Sequence, residues 1–112
     1  MDSTQQTEVL LVISNLPDVE SAELLARAVI EQRLAACVNI MPACRSLYWW
    51  KGQIDQSGEI PVFFKTTRRS FTDLQACIRA HHPYELPEVI AISVADGLPA
   101  YLRWVDEQVE KP

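Results

Sequence analysis

Two adjacent histidines, His81 and His82, are the only imidazoles in the chain and its best candidates for holding a metal ion. An imidazole is largely unprotonated above a pKa of about 6.5 and suits copper or zinc. Neighbouring residues of a regular helix point about 100° apart, so one ion shared by both rings requires the helix to have ended. Pro83 supplies that end, because a residue before proline avoids the helical region. The competing role for the pair is structural: capping the last carbonyls of a helix and favouring its negative end. Lys65 lies inside the apolar stretch 62–67. A lysine there needs a partner, and Glu88 is the candidate. Three cysteines, Cys37, Cys44 and Cys77, are an odd number without CxxC spacing. That pattern fits free thiols in a reducing, cytoplasmic compartment. Cys37 and Cys77 fall on apolar faces, where a thiol serves as a small hydrophobe.

Other chemistries find little here. The only glycines are Gly52, Gly58 and Gly97, so no glycine-rich phosphate loop exists, and neither a metalloprotease HExxH nor a nucleophile elbow occurs. Residues 11–17 contain no cysteine, which excludes a metallochaperone built on a CxxC loop after the first strand. The expectation is a protein that is not an enzyme. A net charge of −5, with no basic run longer than Arg68-Arg69, gives nucleic acid little to bind. No apolar run approaches the roughly 20 residues of a membrane span, and the polar start lacks signal-peptide features.

The elements that must position these residues follow from patterning. The apolar run 8–14 predicts a strand buried on both faces. Asp18 caps a helix over 19–34 that turns Ala22, Leu25, Ala26, Val29 and Ile30 inward. Ser70, with Asp73 three residues on, opens a second helix with Phe71, Leu74, Cys77 and Ile78 as its apolar stripe. Residues 89–94 form another apolar strand. A last helix begins near Pro99 and carries Tyr101, Leu102, Val105 and Val109 inward. The 112 residues and 48% apolar content suit one domain, expected over 8–112 after a poorly ordered 1–7. The order β-α-β-β-α-β plus a helix is the ferredoxin-like split βαβ, an α+β sandwich of an antiparallel sheet under two helices.

The two middle strands form a hairpin over 36–67, turning at Lys51-Gly52. Strands of about fifteen residues would run about 50 Å, whereas a domain of this size has a radius of gyration near ~13 Å. The hairpin therefore overhangs, carrying Tyr48, Trp49 and Trp50 at its tip, and a second copy is the economical cover. A two-residue turn sets Pro42 opposite Pro61, and neither can donate to the ladder. A bulge or bend there divides the hairpin into a base and an arm.

The ordered set of segments 32–39 (QRLAACVN), 48–52 (YWWKG), Lys65-Thr66, 81–88 (HHPYELPE) and 101–104 (YLRW) closely resembles the CutA divalent-cation tolerance family. The resemblance implies a homotrimer of ferredoxin-like subunits paired through their hairpins, similar to the PII signalling proteins. It also implies a cytoplasmic role in tolerance to divalent metals, copper above all, with no established catalytic reaction. In the family a cysteine at the end of the first strand joins the two histidines as a copper ligand. Ser14 stands at that position here, and a hydroxyl is a far poorer ligand for Cu(I). The resemblance leaves a site of His81 and His82 completed by water or a carboxylate. It further matches Trp50, Lys65, Tyr84, Glu85 and Glu88. These are either a salt bridge and aromatic plug fixing the trimer or an intersubunit cleft for a small anionic ligand, the latter in a PII-like signalling or scaffold trimer.

Overall fold

Strand β4 (Gln53–Thr67) is the ruler against which the rest of the chain is aligned. The computed structural model describes residues 8–109, so the expected disorder of 1–7 falls outside the described residues. β4 pairs antiparallel with β1 (Val9–Leu16) on one side and with β2 (Cys37–Ile40) on the other. β1 takes the short β5 (Ile90–Ser93) on its far side, giving the order β2-β4-β1-β5. With helix α1 (Val19–Glu31) after β1 and α2 (Phe71–His81) after β4, this is the expected ferredoxin-like arrangement. A short 3-10 turn, Arg68–Ser70, joins β4 to α2, and α3 (Pro99–Gln108) packs on β1 and β4.

Alternation along the two central strands decides which face is the core. Leu10, Val12 and Leu16 of β1 and Ile60, Val62 and Phe64 of β4 point one way, under the helices. There they meet Ala22, Leu25 and Val29 of α1 and Leu74, Cys77 and Ile78 of α2. α1 starts as its sequence requires, with the Asp18 carboxylate accepting from the Ser21 N–H at 2.7 Å. That bond holds the Asp18 carboxyl below its ordinary range. α1 stops three residues short of the expected 34. Arg33 takes the left-handed conformation (φ 56°), while the Leu34 N–H returns to the Val29 carbonyl and the Arg33 N–H to Ile30. This double return is a Schellman cap, and it folds Leu34 back against Val29 in the core.

Several patterned residues lie elsewhere than expected. Ile30 and Tyr101 are exposed, and so are all four residues of β5. Among the described residues β5 is an edge strand paired with β1 alone, and its apolar side chains remain exposed. Ser70 does not cap α2 with its side chain, because the 3-10 turn before it already places it in helical conformation.

The hairpin behaves as its prolines dictate. Lys51 and Gly52, both with positive φ (51° and 81°), close a two-residue turn between Trp50 and Gln53. From there β3 (Cys44–Trp50) runs in register with β4 as far as Cys44 opposite Glu59. Beyond Pro42 the register has slipped by one. Met41 donates to the Pro61 carbonyl at 2.9 Å, and Ile40 faces Val62. Two residues, Pro42 and Ala43, thus face the single Ile60, a bulge that keeps the two prolines off a common rung. The arm beyond it stretches the chain to 46 × 25 × 23 Å and its radius of gyration to 14.8 Å, above the ~13 Å of a compact domain this size.

The Asp18 cap gives a pH signature. A carboxyl whose folded pKa is depressed stabilises the fold above its unfolded value, ordinarily 3.8 here, and the contribution is lost as pH falls through the folded value. Asp18→Ala is therefore less stable than wild type in urea denaturation near neutrality, and the difference disappears in strong acid.

Candidate functional site

Pro83 ends α2 between the two histidines: His81 is its last residue, and His82 is already extended (φ −87°, ψ 130°). Their roles then separate. His81 Nδ1 lies 3.0 Å from the Cys77 carbonyl, and because a carbonyl only accepts, Nδ1 carries the proton and caps the last turn. No hydrogen bond forms at its other nitrogen, Nε2, among the described residues, and the ring is exposed. His82 is buried, and both its nitrogens are engaged. Nε2 donates to the Asn15 carbonyl at 2.6 Å, and Nδ1 accepts from the Tyr84 N–H at 3.2 Å. It pins the 82–84 segment to the end of β1, with the Tyr84 ring tilted against its own at 4.8 Å.

Among the described residues no three His, Cys, Asp or Glu side chains gather where one metal ion could bridge them. Cys77 Sγ comes within 3.8 Å of His81 Nδ1, but burial pushes its thiol pKa up, only partly offset by the Gln32 amide. Ser14, at the expected third position, is fully buried on the helix side of β1, and its hydroxyl has no hydrogen-bond partner among the described residues. It binds neither histidine.

Lys65 does not meet Glu88. Its Nζ donates to Asn39 Oδ1 at 2.8 Å, while Glu88 accepts from the Asn15 amide at 2.9 Å. The bulge explains the difference: after a one-residue slip, Cys37 faces Lys65 and Asn39 faces Phe63, which brings Asn39 to the lysine's side of the sheet. Lys65 consequently sits on the sheet face opposite the α1 and α2 core and, unlike the other matched residues, does not line the groove between the arm and residues 83–88.

Those others do converge. Trp50, Tyr84, Glu85 and Glu88 line a groove of about 740 Å³ between the arm and residues 83–88. Alternation along the arm adds Ser46 and Tyr48 from β3 and Asp55, Ser57 and Glu59 from β4. The Tyr48 hydroxyl and Ser57 Oγ are 3.1 Å apart. Burial, together with the charge and hydrogen bond of Glu59, raises the Tyr84 phenol above its ordinary value. Glu59 is itself only 8% exposed. Asp55 and Glu59 lie four residues apart on β4, both on the groove side. Their spacing of four on one strand face was the available signal for a shared site. With four carboxylates and no lysine or arginine in its lining, the groove does not favour an anion.

A ferredoxin-like α+β sandwich with a projecting hairpin arm is thereby the class of protein that fold and site define. Residues 10–108 match the family of the CutA1 divalent ion tolerance protein. The divalent-cation tolerance protein CutA of Thermus thermophilus is 40% identical over 87% of this chain and 94% of its own length. The crystal structure of CutA from Xylella fastidiosa superposes with a TM-score of 0.89 at 40% identity, covering 92% of this chain and 99% of that one. A periplasmic divalent cation tolerance protein CutA of Archaeoglobus fulgidus superposes at 0.88 with 35% identity, over 91% and 99% of the two chains. The chain belongs to the CutA1 divalent ion tolerance family.

A buried hydroxyl without a partner costs about 1–3 kcal/mol. Ser14→Ala should accordingly raise the unfolding free energy by about 1 kcal/mol in urea denaturation. A loss of stability would show instead that the hydroxyl is satisfied in solution.

Proposed function

We propose that this protein contributes to tolerance of divalent cations, copper among them, by binding rather than by catalysis, as a homotrimer in the cytoplasm. The observation that carries the reading is the family match across residues 10–108, nearly all of the described chain. For the ion, His81 offers Nε2, an exposed imidazole lone pair that costs no existing hydrogen bond. His82 can join only by giving up Asn15 or Tyr84, so His81 is the anchoring ligand and water or a carboxylate completes the shell. Without a thiolate at position 14 the site suits Cu(II) better than Cu(I).

For the assembly, the support is uncovered apolar surface. Leu47, Trp49 and Ile54 on the outer face of the arm are 66–73% exposed, and β5 leaves Ile90 and Ile92 open beside an unpaired edge. Such surfaces are covered in a stable protein, and a second copy of the same chain provides matching ones. For the compartment, Cys37, Cys44 and Cys77 are all free thiols, and no described helix is long and apolar enough to cross a membrane. The acidic groove speaks against the competing reading, a PII-like trimer that answers to a small anion.

Calorimetric titration with Cu(II) tests the ion. His81→Ala should weaken binding about tenfold, as expected for losing one ligand, and equal affinities for wild type and the His81→Ala/His82→Ala double variant would remove both histidines from the site. Size-exclusion chromatography with light scattering tests the assembly. Three chains' mass is expected, and a monomer at micromolar concentration would overturn it.

A further inference from the structure

The arm has two unlike faces. By alternation Leu47, Trp49 and Ile54 share the outer face and are largely exposed, Leu47 and Trp49 touching the groove only at its margin, while Tyr48 and Trp50 lie on the face toward the chain's own segment 83–88. The groove so enclosed is lined by residues of one chain. Its walls combine two features. Tyr48, Trp50 and Tyr84 contribute aromatic rings, a type of group whose π face attracts cations, and Asp55, Glu59, Glu85 and Glu88 supply negative charge. No positive side chain lines it.

The spacing of the acids selects the kind of cation. No three of them come together as metal ligands, so a point ion finds no shell of carboxylates at any one spot. Charges strung along a groove fit a ligand whose own charges are strung out, with apolar links between them to lie on the rings. The chain itself supplies a sample of the contact: the Lys51 ammonium stands 5.7 Å from the centroid of the Trp50 ring. Two of the carboxylates are also held in place. Glu88 accepts from the Asn15 amide at 2.9 Å, and Asp55 from the Gln56 N–H at 2.8 Å.

We propose that the groove between the arm and residues 83–88 binds a linear organic polycation of the polyamine class. Its ammonium groups pair with Asp55, Glu59, Glu85 and Glu88, and its methylene links lie on Tyr48, Trp50 and Tyr84. The site is separate from the copper ligand His81, so either reading can fail without the other.

The test is calorimetric titration of spermidine into the full-length protein at low salt, with tryptophan fluorescence followed in parallel. One spermidine per chain is expected, with a change in tryptophan emission. Glu85→Gln and Asp55→Asn should each weaken binding about three- to fivefold, as for exposed charge pairs. Glu20→Gln, which removes the same charge from exposed helix surface, should leave it unchanged, as should His81→Ala. Magnesium at equal charge concentration should not displace the polyamine. The proposal is overturned if no saturable binding occurs, if Glu20→Gln weakens binding as much as the groove variants, or if magnesium displaces spermidine charge for charge, since the last two mark mere counter-ion attraction. Circular dichroism melts of each variant establish that it is folded.

Discussion

A proline has no N–H to give, and two prolines on facing strands decide the shape of this protein. Were Pro42 and Pro61 to share a rung, the ladder would lose two donors at one place. The bulge of Pro42 and Ala43 against Ile60 avoids that by moving the register one residue. Everything on either side depends on the move. Toward the body, β2 joins the sheet with Cys37 and Asn39 on the face of Lys65. Toward the tip, β3 keeps the register set by the Lys51-Gly52 turn and sends Tyr48 and Trp50 over the 83–88 segment. The same slip thus assigns a partner to the lysine and walls to the groove.

Position 82 shows how a residue suited to chemistry can be taken up by structure. A buried imidazole must satisfy both nitrogens, and His82 does so with one carbonyl and one N–H. Its service is to fasten the loop that carries Tyr84, Glu85 and Glu88, without which the groove would lose a wall. His81, one residue earlier and still helical, uses one nitrogen on its own helix and keeps the other. Two adjacent residues of one type take different parts, one fastening a loop and the other capping its own helix, because proline ends the helix between them.

Much of this was legible in the sequence where the cause is local. The Asp18 cap, the Lys51-Gly52 turn and the disturbance at the paired prolines each follow from the chemistry of a few neighbouring residues. The partner of Lys65 was not legible, because it depends on which way the register slips, and one residue exchanges the two faces of a strand. Ile30, Tyr101 and β5 misled for a different reason: apolar patterning reports that a surface is to be covered, not whether the same chain covers it. Ser14 was visible as a departure from the family pattern, yet only burial reveals a hydroxyl with nothing to bond.

The strand order β2-β4-β1-β5 also sets a timetable. β1 is made first, yet its two neighbours, β4 and β5, come from the second half of the chain: Leu10 waits for Thr66 and then for Ser93. The arm has no such delay, because β3 and β4 meet across two residues and need only local closure. During synthesis the aromatic hairpin is thus complete while the sheet that anchors it is still missing its edge. For that interval Tyr48, Trp49 and Trp50 belong to a ribbon without a body, the form in which a nascent chain is most open to pairing with the wrong neighbour.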